Sequence, residues 1–330
     1  MPPVNVVVTS AIGARCFELI ASVGKRVTVT DASGFFRGEL TGDAKASARL
    51  DAALAKAEVI YGLRLPQDVL ARAPQLKWIQ VMSAGVDPFL DAEMCDSPVR
   101  MTNMSGINAT PIAEFVLGLM LMFVKQSPQC FELKEQVKWQ RVYASVLSDK
   151  TLGVVGLGSI GREIARLGKA FGMTVIATRR TARPGGHARY VDRLLPADGL
   201  DTLLRESDFI VLAVPFTAET ERLIGEAQLR RMRRSAFLIN IARGGIIDED
   251  ALVRALTQKT IAGAGLDVFA TEPLPGDNPL WRLPNAIISP HISGGREDYV
   301  IRATELFTDN LRRYLAGKRL VNVVDKRRGY

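Results

Sequence analysis

The chain has 330 residues, of which 47% are hydrophobic and 24% are charged. This composition excludes a disordered chain, a collagen and a coiled coil, and the length corresponds to about two domains. The three cysteines (Cys16, Cys95 and Cys130) are far apart, so we expect neither a disulfide framework nor a zinc or other metal site. The longest apolar stretch, residues 112–124, is shorter than the ~20 residues of a membrane span, and no signal-peptide pattern precedes it. We therefore expect a cytoplasmic protein with no membrane partner.

The formal net charge of +8 raises the question of nucleic-acid binding. The basic residues are spread along the chain, with small groups at 230–234 and 326–328, and acidic residues lie among them. No nucleic-acid-binding motif accompanies them in its structural context. We expect a basic surface that attracts small anionic molecules, and no nucleic-acid partner.

Short apolar runs alternate with helical patterns, which predicts an α/β fold with parallel sheets. The strands predicted in the first third of the chain are residues 4–9, 26–30, 58–62, 76–83 and 99–102. A helix is predicted over residues 66–73, with Pro66 in its first turn. A longer helix is predicted over residues 111–124, and a polar segment follows it from 125 to 150.

A second series of strands and helices begins at Thr151. Its predicted strands are residues 151–155, 173–178, 209–214, 236–240, 261–267 and 286–289. In the closing segment, residues 297–315, apolar side chains recur at helical spacing and form one stripe. The sequence thus predicts two related parallel-sheet halves and a final amphipathic helix.

The strongest local motif is a Gly-x-Gly-x-x-Gly pattern that consists of Gly156, Gly158, Ser159, Ile160 and Gly161 with Leu157 between them. It follows a predicted strand and opens a helix predicted over Ser159–Ala170, which is the setting of a dinucleotide-binding turn. The glycines permit a tight turn and close approach of a pyrophosphate, and the helix amides bind phosphate. The alternative is a structural turn without a ligand. Because the first half of the chain lacks this motif, we expect one half to bind a dinucleotide and the other to cover it.

The second strand of this unit ends at Thr178 and is followed by Arg179 and Arg180. A site for NAD normally carries an acidic residue here, about 20 residues after the glycines. Arg179 lies 23 residues after Gly156, and no acidic residue is near it. Guanidinium groups suit the 2′-phosphate of NADP, although a solvent-exposed basic loop is the alternative.

Three residues with catalytic chemistry follow three successive predicted strands. Arg243 follows the strand at 236–240, Glu272 follows that at 261–267, and His291 follows that at 286–289. The carboxyl ends of parallel strands meet at one edge of a sheet, so these side chains can converge on one site. The other histidine, His187, lies in a glycine-containing loop and is expected at the surface.

These motifs, in this order, closely resemble those of the D-isomer-specific 2-hydroxyacid dehydrogenases. The glycine motif, Asn-Ile-Ala-Arg-Gly at 240–244, Leu-Asp-Val-Phe-x-x-Glu-Pro-Leu-Pro at 266–275 and Ser-Pro-His at 289–291 carry the resemblance. Further matches are Ala-Gly-Val-Asp at 84–87, Pro-Ile-Ala-Glu at 111–114 and the segment 214–220. The resemblance covers essentially the whole chain. The ending Val-Asp-x-x-Arg-Gly-Tyr and the arginines at 179 and 180 are most similar to the glyoxylate/hydroxypyruvate reductase branch.

The resemblance implies two Rossmann-like, doubly wound parallel-sheet domains with the active site in the cleft between them. The dinucleotide-binding domain would comprise residues 105–291, and the substrate domain residues 1–104 completed by 292–330. The family also implies a homodimer that forms through the cofactor domain, with residues 125–139 as a candidate arm.

Residue roles follow from the same resemblance. Arg243 would bind the carboxylate and keto oxygen of the substrate, His291 would be the general acid or base, and Glu272 would orient its imidazole. The substrate would also be bound by the backbone of Ser83, Ala84, Gly85 and Val86. Cofactor contacts are implied for the glycine motif and for Thr178, Arg179, Arg180, Val214, Pro215, Thr220, Ile241, Ala242, Arg243, Asp267, His291 and Gly294.

The implied activity is the reduction of small 2-oxo acids, such as glyoxylate or hydroxypyruvate, to D-2-hydroxy acids, with NADP(H) preferred and NAD(H) usable. Formate dehydrogenases carry glutamine in place of Glu272, and phosphite dehydrogenases carry lysine in place of Ala84, so both activities are disfavoured. Two alternatives remain open: an NAD(P)-sensing, corepressor-like binding protein, and a dehydrogenase of bulkier 2-oxo acids. Phe89, Trp139 and Trp281 are candidates either for narrowing the substrate site or for the core.

Overall fold

The computed structural model describes residues 3–183 and 185–330, which form two compact units. The first unit runs to Ile107 and resumes from Arg296 to Tyr330, while the second comprises Asn108–Gly295. Each unit contains one sheet whose strands are all parallel, of five strands in the first and seven in the second. The predicted fold class is confirmed.

The sheet of the first unit has the strand order β2-β1-β3-β4-β5. Its strands are β1 (Val4–Val8), β2 (Val27–Asp31), β3 (Val59–Gly62), β4 (Trp78–Val81) and β5 (Arg100–Thr102). The helices between them are α1 (Ala14–Ala21), α2 (Ser33–Leu40), α3 (Ala44–Leu54), α4 (Val69–Arg72) and α5 (Ala92–Asp96). The strands β3 and β4 are buried along their whole length, which is typical of parallel strands that are covered on both faces.

The sheet of the second unit has the strand order β12-β11-β10-β9-β6-β7-β8. The chain therefore adds strands first on one side of β6 and then on the other. Its strands are β6 (Thr151–Val155), β7 (Thr174–Thr178), β8 (Arg193–Leu195), β9 (Phe209–Leu212), β10 (Phe237–Asn240), β11 (Gly263–Leu266) and β12 (Ala286–Ile288). Its helices are α6 (Ala109–Val124), α7 (Ser127–Glu135), α8 (Ser159–Ala170), α9 (Leu200–Glu206), α10 (Glu226–Arg231) and α11 (Glu249–Thr257). Ligands of open α/β sheets bind beyond the carboxyl ends of the strands where the order reverses, and here the glycine motif follows β6.

The second sheet is packed between two apolar layers. Adjacent residues of β9 point to opposite layers: Ile210 joins the cluster that includes α9, α10 and α11, whereas Val211 joins the cluster that includes α6 and α8. This alternation follows from the two-residue period of a strand. Because side chains within the strands enter these two layers, only the residues at and beyond the strand ends can reach a ligand.

The final helix, α12 (Tyr299–Leu315), belongs to the first unit. The ring of Phe307 is fully buried and stacks on Tyr61 with 4.2 Å between centroids, and it lies 5.3 Å from Trp78. The predicted apolar stripe is therefore confirmed. Beyond α12, Val323 pairs with Thr102 as an antiparallel bridge, so the C-terminal segment adds to the edge of the sheet at β5.

Every predicted strand is present, with ends that differ by at most two residues. The helix predicted over residues 66–73 is wrong at its start: only Val69–Arg72 is helical, because Asp68 has a left-handed backbone with φ of +52°. Pro66 consequently precedes the helix. The helix α7 in the polar segment and the short edge strand β8 were not predicted.

No single helix among the described residues is long and apolar enough to cross a membrane, although α6 and α7 together, with a 62° bend between them, meet that test by length and composition.

Candidate active site

A tight glycine loop joins β6 to α8. Gly156 has a φ of +98°, and a Cβ atom there would lie 2.7 Å from the carbonyl oxygen of Ala213. A Cβ atom at Gly161 would overlap the carbonyl oxygen of Gly156, so both positions require glycine. Around Gly158 there is open space instead, and α8 begins there without a side-chain cap. The loop therefore offers space and backbone donors to an anionic group.

The end of β7 is tied to this glycine loop. The amide of Gly156 donates to the carbonyl oxygen of Thr178 at 3.2 Å and to its Oγ1 at 3.4 Å. Thr178 is buried, whereas Arg179 and Arg180 are exposed. They lie on a turn that the amide of Ala182 closes by donating to the Arg179 carbonyl at 2.9 Å. Two guanidinium groups thus follow directly after a residue that contacts the glycine loop.

The loops after β9 and β10 are braced by their own side chains. Val214 lies against Gly156, since its Cγ1 would be 2.7 Å from a Cβ atom there. The Thr220 hydroxyl donates to the carbonyl oxygen of Pro215 at 2.6 Å, which closes that loop. After β10, the side chain of Asn240 donates to the Arg243 carbonyl at 2.8 Å and accepts from the Ala242 amide at 3.1 Å. Ile241 between them is buried in the core.

A histidine and a carboxylate form the chemical centre of the second unit. Nδ1 of His291 lies 2.8 Å from one carboxylate oxygen of Glu272, whose other oxygen accepts from the Phe269 amide at 3.0 Å. Since a carboxylate only accepts, Nδ1 carries the proton and Nε2 is the nitrogen that can exchange one. The side chains are 50% and 36% exposed, respectively, so a small ligand can reach the pair.

The backbone of His291 is held in an unusual conformation by Asp267. His291 has a φ of +55°, which is uncommon for a residue other than glycine. The fully buried carboxylate of Asp267 accepts from the amides of Ile292 (2.8 Å) and Ser293 (2.9 Å) and from the Ser289 hydroxyl (2.6 Å). The surroundings therefore over-determine the loop, as is typical of functional sites. This bracing was not predicted from the sequence.

The loop that carries Arg243 packs directly on the loop that follows β11. The strands β10, β11 and β12 are neighbours, so the loops that carry Arg243, Glu272 and His291 leave the same edge of the sheet. A Cβ atom at Gly244 would overlap the backbone of Phe269, the residue whose amide holds Glu272. The three loops predicted to converge are therefore contiguous. The roles of Gly244 and Phe269 were missed, since only the contact between two loops reveals them.

A cavity of about 480 Å³ adjoins the histidine pair. Its lining is Phe269, Glu272, Pro273, Leu274, Trp281, Ile288, Ser289, Pro290 and His291. Trp281 is 54% exposed, so it belongs to this cavity wall rather than to the core. Gly294 follows His291 by three residues, and a Cβ atom added there would lie 3.0 Å from Nδ2 of Asn108. The other histidine, His187, is exposed, as predicted.

The 83–86 loop (Ser83, Ala84, Gly85 and Val86) follows β4 in the first unit. Val86 is buried, and the other three residues are half-buried. The Ser83 hydroxyl donates to the Gly85 carbonyl at 2.7 Å, and the Asn103 side chain donates to the Ala84 carbonyl at 2.8 Å. Within residues 3–183 and 185–330, nothing accepts from the amides of Ala84, Gly85 or Val86. The loop thus has its acceptors engaged and its donors available.

The sequence model for the D-isomer specific 2-hydroxyacid dehydrogenase, NAD binding domain, matches residues 117–293, which is more than half of the chain. The chain belongs to this family. It is 38% identical to glyoxylate/hydroxypyruvate reductase B of Pectobacterium carotovorum over 284 residues, which cover 83% of this chain and 87% of that one. It is 34% identical to the glyoxylate reductase of Korarchaeum cryptofilum over 265 residues, or 78% of this chain and 79% of that one.

Among solved structures, the fold is similar to an NADPH-dependent glyoxylate/hydroxypyruvate reductase of Sinorhizobium meliloti in complex with NADP and sulfate. The TM-score is 0.82 at 26% identity, and each chain is covered over 100% of its length. The family resemblance predicted from the motifs is confirmed, and the relatives agree with the glyoxylate/hydroxypyruvate reductase branch.

Proposed function

We propose that this protein reduces small 2-oxo acids such as glyoxylate and hydroxypyruvate, and that it uses NADPH in preference to NADH. The observation that carries the proposal is the bond of 2.8 Å between Glu272 and His291, next to the loop of Arg243. The same unit contains the glycine loop with space for a pyrophosphate. The names of the similar proteins, glyoxylate reductase and glyoxylate/hydroxypyruvate reductase, support this activity.

The residues of the second unit fit a bound dinucleotide. The open side of Gly158 and the uncapped start of α8 suit its pyrophosphate, with Ser159 and Ile160 in the first turn. Arg179 and Arg180 would bind the 2′-phosphate through charge-assisted hydrogen bonds. Around this loop the further proposed contacts are Thr178, Val214, Pro215, Thr220, Ile241, Ala242, Asp267 and Gly294. When bound, the nicotinamide supplies the hydride for the carbonyl carbon.

The chain's own residues would then handle the charge and the proton. Arg243 would bind the substrate carboxylate and polarise the carbonyl oxygen through paired N–H groups. His291 would donate the proton on Nε2 to that oxygen and would accept it back in the oxidation of the alcohol. Glu272 would hold the ring in place and stabilise the imidazolium. In the first unit, the free amides of the 83–86 loop would bind the carboxylate.

The decisive experiment is the loss of NADPH absorbance with glyoxylate and hydroxypyruvate in the purified protein. We expect turnover with both substrates and little with branched or aromatic 2-oxo acids. Tight NADPH binding without any turnover would instead favour the corepressor-like alternative.

A second candidate is a dehydrogenase of bulkier 2-oxo acids, which the largely apolar cavity of about 480 Å³ beside His291 favours. A panel of 2-oxo acids that includes phenylpyruvate, ranked by kcat/KM with NADPH, separates the two candidates. A clear preference for an aromatic or branched acid would overturn the assignment to small substrates.

We also propose a homodimer that forms through the second unit. The segment after α6 presents apolar side chains that the chain itself leaves exposed: Phe131 is 57% exposed, Tyr143 86%, and Val137 and Trp139 almost fully. Such a concentration of exposed apolar groups is typical of an interaction surface. Light scattering of the parent should give the mass of two chains, and that of Trp139→Ser should show dissociation at low concentration.

A further inference from the structure

The 83–86 loop is held on its carbonyl side by donors from four different positions. The carbonyl oxygen of Met82 accepts from the Tyr299 hydroxyl at 2.6 Å, and that of Ser83 accepts from the Met104 amide at 2.9 Å. Those of Ala84 and Gly85 accept from Asn103 and from the Ser83 hydroxyl, as described above. Donors of the first unit therefore hydrogen-bond to each of these four carbonyl oxygens.

These bonds to the carbonyl groups also determine the direction in which the N–H groups of the loop point. In a trans peptide, the C=O and the following N–H point in opposite directions. Because Asn103 draws the Ala84 carbonyl towards the interior, the amide of Gly85 points away from it. That amide has no acceptor among the described residues. Asn103 thereby determines where this donor is presented.

Asn103 is itself hydrogen-bonded through both side-chain atoms, Nδ2 and Oδ1, which fixes the orientation of its amide. Its Nδ2 donates to Ala84 at 2.8 Å, and its Oδ1 accepts from the Ser105 amide at 3.0 Å. Its carbonyl accepts from Gln80 Nε2 at 3.0 Å and from Asn322 Nδ2 at 3.3 Å, and its amide donates to the Asn322 carbonyl at 3.1 Å. The residue is only 7% exposed. A buried amide whose nitrogen and oxygen are both hydrogen-bonded resists rotation.

Gln80 extends this support to the end of the chain. Its side chain is fully buried in β4, and its Oε1 accepts from the Thr102 hydroxyl at 2.7 Å and from Asn310 Nδ2 at 2.9 Å. Asn310 in α12 also pairs with the backbone of Val321, at 3.0 Å and 2.7 Å. The C-terminal segment is thus connected to Asn103 both directly, through Asn322, and through Gln80.

We propose that Asn103 is a positioning residue for the substrate: it fixes the Ala84–Gly85 peptide and so sets the affinity of the 83–86 loop for the carboxylate of the 2-oxo acid. Asn103 acts through the loop and need not touch the substrate. The inference rests on the proposed function, and it names a determinant of substrate affinity outside the residues that carry the reaction.

The test is Asn103→Ala, assayed with glyoxylate and with hydroxypyruvate. We expect KM to rise about tenfold for both substrates, which corresponds to about 1.4 kcal/mol and to a lost buried hydrogen bond. The kcat and the affinity for NADPH should be retained. Because both substrates have the same carboxylate, their ratio of kcat/KM should be unchanged, whereas a change in pocket shape would alter that ratio.

Asn310→Ala is the matched control, since Asn310 is a buried asparagine of the same network that does not contact the loop. It should lower the melting temperature without raising KM. If Asn103→Ala fails to fold, Asn103→Ser serves instead, because a seryl hydroxyl is too short to reach Ala84 and should raise KM equally.

Two results would overturn the inference alone: an active parent whose KM is unchanged by the substitution of Asn103, or an equal rise of KM in Asn310→Ala. A parent that reduces no 2-oxo acid would overturn the proposed function and this inference with it. The two failures are therefore distinguishable in one set of assays.

Discussion

In the second unit, a buried carboxylate holds the loop that carries His291, whereas in the first unit neutral amide and hydroxyl donors hold the 83–86 loop. Asp267 accepts from the amides of Ile292 and Ser293, so the N–H groups of that loop are used internally. Asn103 donates to Ala84, so there the carbonyl groups are used and the N–H groups are left over.

This difference shows that the polarity of the bracing group decides what a loop offers to a ligand. A carboxylate that holds a loop accepts hydrogen bonds from its N–H groups. A side chain of that loop, here the imidazole, is then the group that can act on a ligand. A neutral donor behind a loop consumes its acceptors and leaves backbone N–H groups, which suit an anion without adding a charge that would repel it.

The largest expected effect comes from removing the active side chain of the second unit. His291→Asn should lower kcat by roughly 10²–10⁴-fold, the usual range for the loss of a general acid, while NADPH binding is retained. Steady-state kinetics with glyoxylate and fluorescence titration with NADPH measure the two effects. His187→Asn, at the exposed histidine, is the matched control and should change neither. If His291→Asn had the same kcat as the parent, the pair of Glu272 and His291 would have only a structural role.

Cofactor choice should depend on the second unit alone. Loss of a charged hydrogen bond costs about 1.5–3 kcal/mol, so Arg179→Ala should weaken NADPH binding by roughly 10- to 150-fold and leave NADH nearly unaffected. Arg179→Asp should invert the preference, since a carboxylate repels the 2′-phosphate and accepts from a free ribose hydroxyl. The measurement is kcat/KM for both cofactors at two salt concentrations, because salt screens an exposed contact.

The exposed Arg183 of the same segment provides the control for this prediction. Arg183→Ala should alter cofactor preference much less than Arg179→Ala. Equal losses for NADH and NADPH in the Arg179 variants, or a parent that already prefers NADH, would identify the arginines as a solvent-exposed loop only.

Asp267→Asn replaces the carboxylate that holds the His291 loop by an amide of nearly the same size. An amide nitrogen would then face donors, so the His291 loop should shift, and kcat should fall by about 10- to 100-fold, as small misplacements of catalytic groups do. The melting temperature should also fall. Asp248→Ala, which removes the side chain that caps α11, is a control expected to lower stability without lowering kcat. Equal kcat losses in both variants would argue against a specific role for Asp267.

The smallest expected effect is that of Tyr299→Phe in the first unit. It removes the donor to the Met82 carbonyl, so KM for glyoxylate should rise by roughly 2- to 10-fold, the range of one ordinary hydrogen bond. Burial raises the pKa of Tyr299 to about 12, so the hydroxyl remains protonated well above neutral pH. The rise of KM should therefore be the same at mildly acidic and mildly alkaline pH. Tyr143→Phe, at an exposed tyrosine, should leave KM unchanged, and a pH-dependent rise would contradict this account.

The sequence alone was sufficient for the architecture. Runs of β-branched and apolar residues at strand length predicted both sheets, because parallel strands that are buried on two faces need such runs whatever their neighbours are. It failed where a single backbone angle decided: the left-handed Asp68 delays the start of α4, and nothing in the run from Pro66 onward signals it.

For the site, the sequence determined which side chains stand at the strand ends. Arg243, Glu272 and His291 each follow a predicted strand, and the topology of a parallel sheet brings such ends to one edge. Only the tertiary structure decided how these groups are held. The bond that the Ser293 amide donates to Asp267 and the one that Asn103 donates to Ala84 join residues 26 and 19 positions apart. Such bonds depend on how loops from different strands pack, a relation that no local pattern of residues encodes.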